Sequence, residues 1–335
     1  MDHTKSLKRR READGLERDF EEGVDTSADA ALEFTRNDEF WLKDGTIVLV
    51  CAAVGFRVHQ SVLSMHSTVF RDMFEHSSPG RDEHFEECAV VRLHDSADDM
   101  HHLLKTLYFR SYGQDKSKLG LPRLTSLLRM ARKYFIEELQ AELIKHLTVL
   151  FPSTLEKYRS PERDEAVPGD FDPMLGVAIS EEFDVPTILP VALYLSSRLG
   201  LPAILDGGPP HASVPRAILL FREELMGRIA DDGEDGDGHS FFARFPCRKS
   251  STCPGLKQTA MNLEWRRYRR LEIHIFKMRP ATEACFGADT CKHCLATWTK
   301  GEMAYQDALW KNLPSCCQRP SMYTWDALMD PVTTV

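Results

Sequence analysis

Apolar and polar positions first fall into a regular pattern near Phe40, where structure is expected to begin. Thr46-Ile47-Val48-Leu49-Val50 is a short apolar run rich in β-branched residues, and Phe56-Arg57-Val58-His59 alternates soon after it. These segments predict two paired strands joined by a turn around Ala53 to Gly55. From Gln60 the period changes. Val62, Leu63, Val69, Phe70, Met73 and Phe74 recur at spacings of three and four, the repeat of a helix face. The pattern predicts two short helices breaking near His66 and Ser67, with the Ser67 hydroxyl placed to cap the second.

Residues 75–87 read as a polar loop, and Cys88 to Leu93 as a third strand. Ser96 with Asp99 forms an acidic variant of the capping box ahead of a helix carrying Met100, Leu103, Leu104, Leu107 and Tyr108 on one face. Two further helices follow, one apolar at Leu121, Leu124, Leu127, Leu128 and Ala131, the other at Ile136, Leu139, Leu143, Ile144, Leu147 and Leu150. The expected fold class is α+β, a small sheet flanked by a cluster of helices, followed by a mainly α-helical C-terminal extension.

Beyond Phe151-Pro152, Ser153 and Glu156 form another capping box, and the helix they start is interrupted by Pro161 and the polar run ERDEAVPGDFDP. Residues 174–199 are helical by pattern, with a break near Pro186 and Pro190. Residues 213–230 form an amphipathic helix with Ser213 as its cap and Pro215 in its first turn, ended by DDGEDGDGH. Further on, Met261, Trp265, Tyr268, Leu271 and Ile275 line one face of a long helix expected from Leu256 to Met278. The organisation is therefore a disordered charged tail over 1–37, a folded unit over 38–150, a helical extension over 151–230, an acidic linker over 231–240, and a Cys-containing, mainly helical region over 241–335.

A chain of 335 residues with 42% hydrophobic and 28% charged positions can bury a sizeable core. Its formal charge of −9 argues against a protein whose main task is to grip nucleic acid through phosphates. The N-terminus lacks the apolar core of a secretory signal, and no run of about 18 apolar residues occurs, so an intracellular location, nucleus or cytoplasm, with no membrane partner is expected. Seven of the nine cysteines follow residue 246, a distribution that favours reduced thiols or metal thiolates over an evenly stapled scaffold.

Several motifs carry chemistry in principle. Cys291 and Cys294 have the spacing with which two thiolates grip one zinc ion. Cys247, Cys253, Cys285 and His293 are the further ligand candidates, but Cys247 and Cys253 are irregularly spaced and Cys316-Cys317 adjoin, so cysteines without a metal remain the favoured reading and no cofactor is assigned. The acidic run from Asp231 is not a calcium loop, because Ser240 and Pro246 occupy the glycine and glutamate positions. Lys8 to Arg11 suit a nuclear import receptor or a polyanion, although acidic residues follow at once and favour a solvated tail. Arg266 to Arg270 with Trp265 and Tyr268 have the composition of a single-strand nucleic-acid site, against the plainer reading of a solvated basic helix face. Phosphate loops, nucleophile elbows and zinc-protease pairs are absent from the sequence, and no enzyme activity is expected.

The string HQSVLSMHSTVFRDMF, His59 to Phe74, resembles the signature of the BTB/POZ domain, H-R-x-V-L-x-x-x-S-x-x-F-x-x-M-F. His59, Val62, Leu63, Ser67, Phe70, Met73 and Phe74 fall on it, and the resemblance covers about residues 38–150. FDVPTILPVALYLSSRLG and the closing Leu313-Pro314, Trp325 and Leu328 make the whole chain similar to fungal, mushroom-type BTB proteins. The resemblance implies a protein-interaction module that pairs with itself or with another BTB chain, acting as a transcriptional regulator or an adaptor. It also implies that His59 is an interior residue bonded near an aspartate. In the family's transcription factors, the aspartate before the first strand and an arginine after the signature histidine form a charged partner-binding pocket. These positions are Asp44 and Gln60 here, and the neutral amide of Gln60 supplies no permanent positive charge. The hydrophobic-x-Glu turn that helps some members bind cullin has no copy in RSYGQDKSKLG after Phe109. Two alternatives accompany the interaction module: a substrate adaptor for a cullin ubiquitin ligase, and a nucleic-acid-associated regulator using Lys8–Arg11 and Arg266–Arg270.

Overall fold

In the computed structural model, the structure describes residues 34–76, 83–109, 119–206, 213–234, 247, 270–271, 274–277, 291–317 and 324–329. The first strand, β1 (Thr35–Trp41), starts ahead of Phe40, where the hydrophobic pattern placed the onset of structure. Its residues are mostly exposed, so no alternation of apolar and polar side chains announces it. β2 (Ile47–Cys51) and β3 (Val54–Val58) pair antiparallel through a turn centred on Ala52, whose φ is +51°, one step before the expected turn. β5 (Cys88–Leu93) runs parallel to β2, and the short β4 (His84–Phe85), inside the expected polar loop, pairs with β5. The sheet order is β1-β3-β2-β5-β4.

β2 is buried along its whole length because the sheet is covered on both faces. Ile47, Leu49 and Cys51 join the main core with the helices, whereas Val48 and Val50 meet Phe34, Cys88 and Val90 on the other side. Gly55 lies within β3, not in the turn, and a side chain there would come within 2.4 Å of the Phe34 ring. The glycine thus lets Phe34 cross the strand and close the small second core.

The two signature helices are α1 (Gln60–His66) and α2 (Thr68–Glu75), broken at Ser67 as the pattern predicts. α3 (Ala97–Tyr108) starts on the Ser96 cap, whose hydroxyl accepts from the Asp99 amide at 3.0 Å. α4 (Leu121–Lys133) and α5 (Glu137–Leu150) complete the first helical cluster.

The extension begins with α6 (Leu155–Tyr158), capped by Thr154 and not by Ser153: the Thr154 hydroxyl accepts from the Lys157 amide. Pro161 starts a helix instead of ending one. It occupies the first turn of α7 (Pro161–Ala166), where its missing N–H costs nothing, and Ser160 provides the cap. The buried Arg163 of α7 donates from Nε to the Leu150 carbonyl at 3.0 Å, satisfying the end of α5. α8 (Pro173–Phe183) and α9 (Leu189–Ser197) are separated by a 3₁₀ turn at Pro186–Ile188, as the prolines predict. Gly176 lets the Phe151 ring lie against α8, since a Cβ there would stand 2.4 Å from it.

α10 (Leu201–Asp206) leads to α11 (Ser213–Glu234), in which Ser213 is the first helical residue and donates to Glu181. α11 also continues four residues into the acidic run expected to end it. The long helix expected to Met278 is not observed at its C-terminal end: Arg270, Leu271 and residues 275–277 lie in turns and a bend, and Leu271 has a φ of +53°. The start of that helix, with Arg266–Arg269, lies outside the described residues. α12 (Lys292–Lys311), a 3₁₀ turn (Leu313–Cys317) and α13 (Trp325–Met329) close the described chain.

One continuous apolar core runs from Phe40 through α9 to Leu328. Aromatic residues join the C-terminal region to the extension. Trp310 lies 5.0 Å from Tyr158 and donates its indole N–H to the Ser153 carbonyl, while Trp325 stacks on Trp310. Among the described residues, no helix is long and apolar enough to cross a membrane.

Candidate functional site

The signature residues show how local sequence builds a rigid platform. Ser67 is buried and works twice: its hydroxyl accepts from the Phe70 amide at 3.0 Å and donates to the Tyr134 carbonyl at 2.5 Å. Phe70 then stacks on Tyr134 with centroids 4.2 Å apart and planes within 6°. Tyr134 in turn donates its hydroxyl to Asp95, and burial pushes its phenol well above the ordinary range. These contacts pin the α1–α2 break to the C-terminal end of α4.

His59 sits at the N-terminus of α1, between Asp44 and Tyr108. Its backbone amide donates to the Tyr108 hydroxyl at 2.8 Å, which leaves that hydroxyl free to donate to His59 Nδ1 at 3.2 Å. Nε2 faces Asp44 Oδ2 at 3.2 Å. The hydrogen bond from His59 holds the Asp44 carboxyl below its usual range, with a backbone bond adding to the effect. Tyr108 could not be identified as the partner from sequence, because it lies 49 positions away on α3.

Asp44 itself is open to solvent, with 84% of its side chain exposed. Gln60 follows His59 directly and is half-buried, and its backbone N–H donates to Thr46 Oγ1 at 3.0 Å. Asp44 and Gln60 therefore lie at one end of α1, flanking His59. Arg57, the nearby cation, is turned elsewhere: its Nε donates to the Gly45 carbonyl and its guanidinium meets Glu86 at 3.2 Å. Asp44 and Gln60 are thus a carboxylate and a neutral amide, not a paired acid and base.

α1 buries Leu63 but presents Met65 to solvent at 72% exposure, with the exposed Ser61 one turn before it. A methionine off the Val62–Leu63 face breaks the amphipathic pattern, and this was the available sequence clue to an outward apolar position. At the edge of the sheet, β1 is held to α3 by Glu39, which meets Lys105 at 3.0 Å and His101 at 3.1 Å. Asn37 interrupts its pairing by accepting the Glu39 and Phe40 amides.

Of the metal-ligand candidates, the structure brings three together. The sulfurs of Cys247, Cys291 and Cys294 all lie within 4.8 Å of one another. His293 is exposed on the first turn of α12 and lies outside this cluster. Cys253 and Cys285 fall outside the described residues, as do Lys8–Arg11, Arg266–Arg269, residues 110–118 of the loop after Phe109 and the end of the acidic linker. Arg270 is described and exposed. A shallow polar depression between α3 and α4 is lined by Asp98, Asp99, Arg123, Ser126 and Asp170. Its groups engage each other, Arg123 with Asp98 at 2.7 Å and Ser126 with Asp99.

No curated protein matches the chain. The model of the BTB/POZ domain family matches residues 39–150, the span that holds β2 to β5 and α1 to α5 with the last three residues of β1. The mixed sheet, the Ser67 break and the helical cluster around it are thus a BTB/POZ domain, a protein-interaction module, which this chain carries ahead of a helical C-terminal region.

Proposed function

We propose that the protein is a non-enzymatic interaction protein that pairs through its BTB domain, with a second copy of itself or another BTB chain, and recruits a partner through its helical extension. BTB domains mediate protein–protein interaction and dimerisation. The observation that carries the reading is Met65: a large apolar side chain 72% exposed on α1, a helix whose opposite side is locked into the core by Leu63. Isolated exposed apolar residues are ordinary, and its place on the signature helix of an interaction domain is what gives this one weight.

Asp44 and Gln60 form the polar rim of the same surface. Asp44 offers an exposed anion oriented by His59, and Gln60 an uncharged amide, so the rim suits a partner's hydrogen-bond donor or cation. It does not reproduce the charged pocket implied by the family's transcription factors, because Gln60 replaces its arginine. On the extension, α10 buries Ile204 and exposes Leu201 and Leu205 at 52% and 58%, one turn apart, a two-residue anchor for a partner.

Two differently tagged copies of the full chain, produced together, test the pairing. Capture of one tag is expected to retain the other, and Met65→Glu in both copies is expected to abolish retention while the protein stays folded by circular dichroism. Failure of wild-type copies to retain each other, with no BTB partner recovered from the native cells, overturns the reading.

A further inference from the structure

Cys247 and Cys291 are 44 residues apart in sequence, yet their sulfurs approach to 3.5 Å. A disulfide holds its sulfurs about 2.0 Å apart, so the two are not bonded to each other. Two thiolates on one tetrahedral zinc, with Zn–S bonds of about 2.3 Å, stand about 3.8 Å apart. The observed separation is within a few tenths of an ångström of that value. Cys294 completes a triangle in which every sulfur lies within 4.8 Å of the others.

The local backbone favours thiolates at this place. Cys291 is the N-cap of α12, in extended conformation with φ −68° and ψ 151°, and Cys294 lies in the first turn. Amides at a helix start have no partner within the helix, and with the positive end of the helix dipole they stabilise a negative sulfur. Lys292 lies between the two cysteines and adds positive charge at the same end. Cys294 is buried while Cys247 and Cys291 are half-buried, so the cluster is neither sealed nor fully open to water. Cys51 and Cys316 differ. Each is outside the cluster, and burial pushes their thiols up to about 12 and about 11, values at which they pack as neutral groups.

We propose that Cys247, Cys291 and Cys294 bind one structural zinc ion as thiolates, tethering the chain at residue 247 to the first turn of α12. Three sulfurs occupy three tetrahedral corners, and water or one further side chain takes the fourth. Up to three thiol protons leave as the metal enters, so binding weakens as pH falls. The other end of α12 is anchored to the core through Trp310. The metal therefore adds a covalent-strength tether at the first turn of a helix whose far end is docked through Trp310.

Full-length protein purified under reducing conditions without chelator is expected to contain about one zinc per chain, and Cys247→Ser, Cys291→Ser or Cys294→Ser each to lower that content severalfold. A second measurement needs no variant. Apoprotein prepared with a chelator and titrated with cobalt(II) is expected to show a thiolate-to-cobalt charge-transfer band that zinc then displaces. Less than about a tenth of an equivalent of zinc in the wild-type chain with no cobalt–thiolate band overturns the proposal. So does zinc content unchanged in all three serine variants, or a disulfide among the three cysteines in the unreduced protein.

Discussion

Ser67 concentrates the architecture of the signature in a single hydroxyl. It caps α2, ties Tyr134 in place, and is buried with both bonds made. Ser67→Ala removes the cap and leaves the Tyr134 carbonyl without its donor, and is expected to cost about 2–3 kcal/mol, read as a lower urea midpoint with an unchanged slope. A loss below about 0.5 kcal/mol would show that water replaces the hydroxyl. His274 makes a second prediction at this scale. It lies between the Tyr158 and Tyr194 hydroxyls at 3.0 and 3.1 Å, and burial lowers its pKa from 6.5 to about 3. The unfolded chain takes up a proton near pH 6.5 that the folded chain refuses until about pH 3. The stability this site contributes is thus complete above that upper value and falls as pH drops through the window. The expected slope is about 1.4 kcal/mol per pH unit between pH 6 and pH 4, flattened in His274→Gln. Urea midpoints measured across that range for both proteins decide it, and parallel curves would contradict the assignment.

At the scale of elements, what was legible in the sequence was what short-range pattern determines. The α1–α2 break, the Ser96 cap and β5 need only residues within a few positions of each other, and each was expected where it stands. The elements that escaped depend on distant partners. β1 carries charged residues whose strand geometry comes from pairing with β3 and from the Glu39 bridges to α3, neither visible as alternation. By sequence Pro161 reads as a breaker, because its role turns on whether it precedes or follows a helix boundary, and Ser160 supplies that boundary. The candidate site divides in the same way: Asp44 and Gln60 follow from the resemblance of the signature stretch, whereas Tyr108 and the meeting of Cys247 with Cys291 require the folded chain. Gly55 gives a test of one such long-range element contact. Gly55→Ala drives a methyl into the Phe34 ring and is expected to cost about 1–3 kcal/mol, while Gly55→Ala with Phe34→Ala is expected to cost less than the sum of the single changes. Additive costs in a double-mutant cycle would mean that the strand, not Phe34, excludes the side chain.

At the scale of the whole molecule, the core does not stop at residue 150. It passes from the BTB domain through α9 to Trp310 and Leu328, so the extension is packed onto the domain and not strung from it. A chain built on one core is expected to unfold in a single transition, with tryptophan fluorescence and far-ultraviolet circular dichroism coinciding across a urea titration. Two separated transitions would show that the BTB domain and the extension are independent units. The same continuity bears on function, because a partner bound at Leu201 and Leu205 would be held rigidly relative to the pairing surface on α1. The claim on which all of this depends is that α1 is a pairing surface, and sedimentation velocity of the full chain at micromolar concentration tests it most directly. The account predicts a species of twice the 38.2 kDa chain mass that Met65→Glu converts to monomer, and a wild-type chain that sediments only as a monomer, with no BTB partner recovered from its native cells, would contradict it.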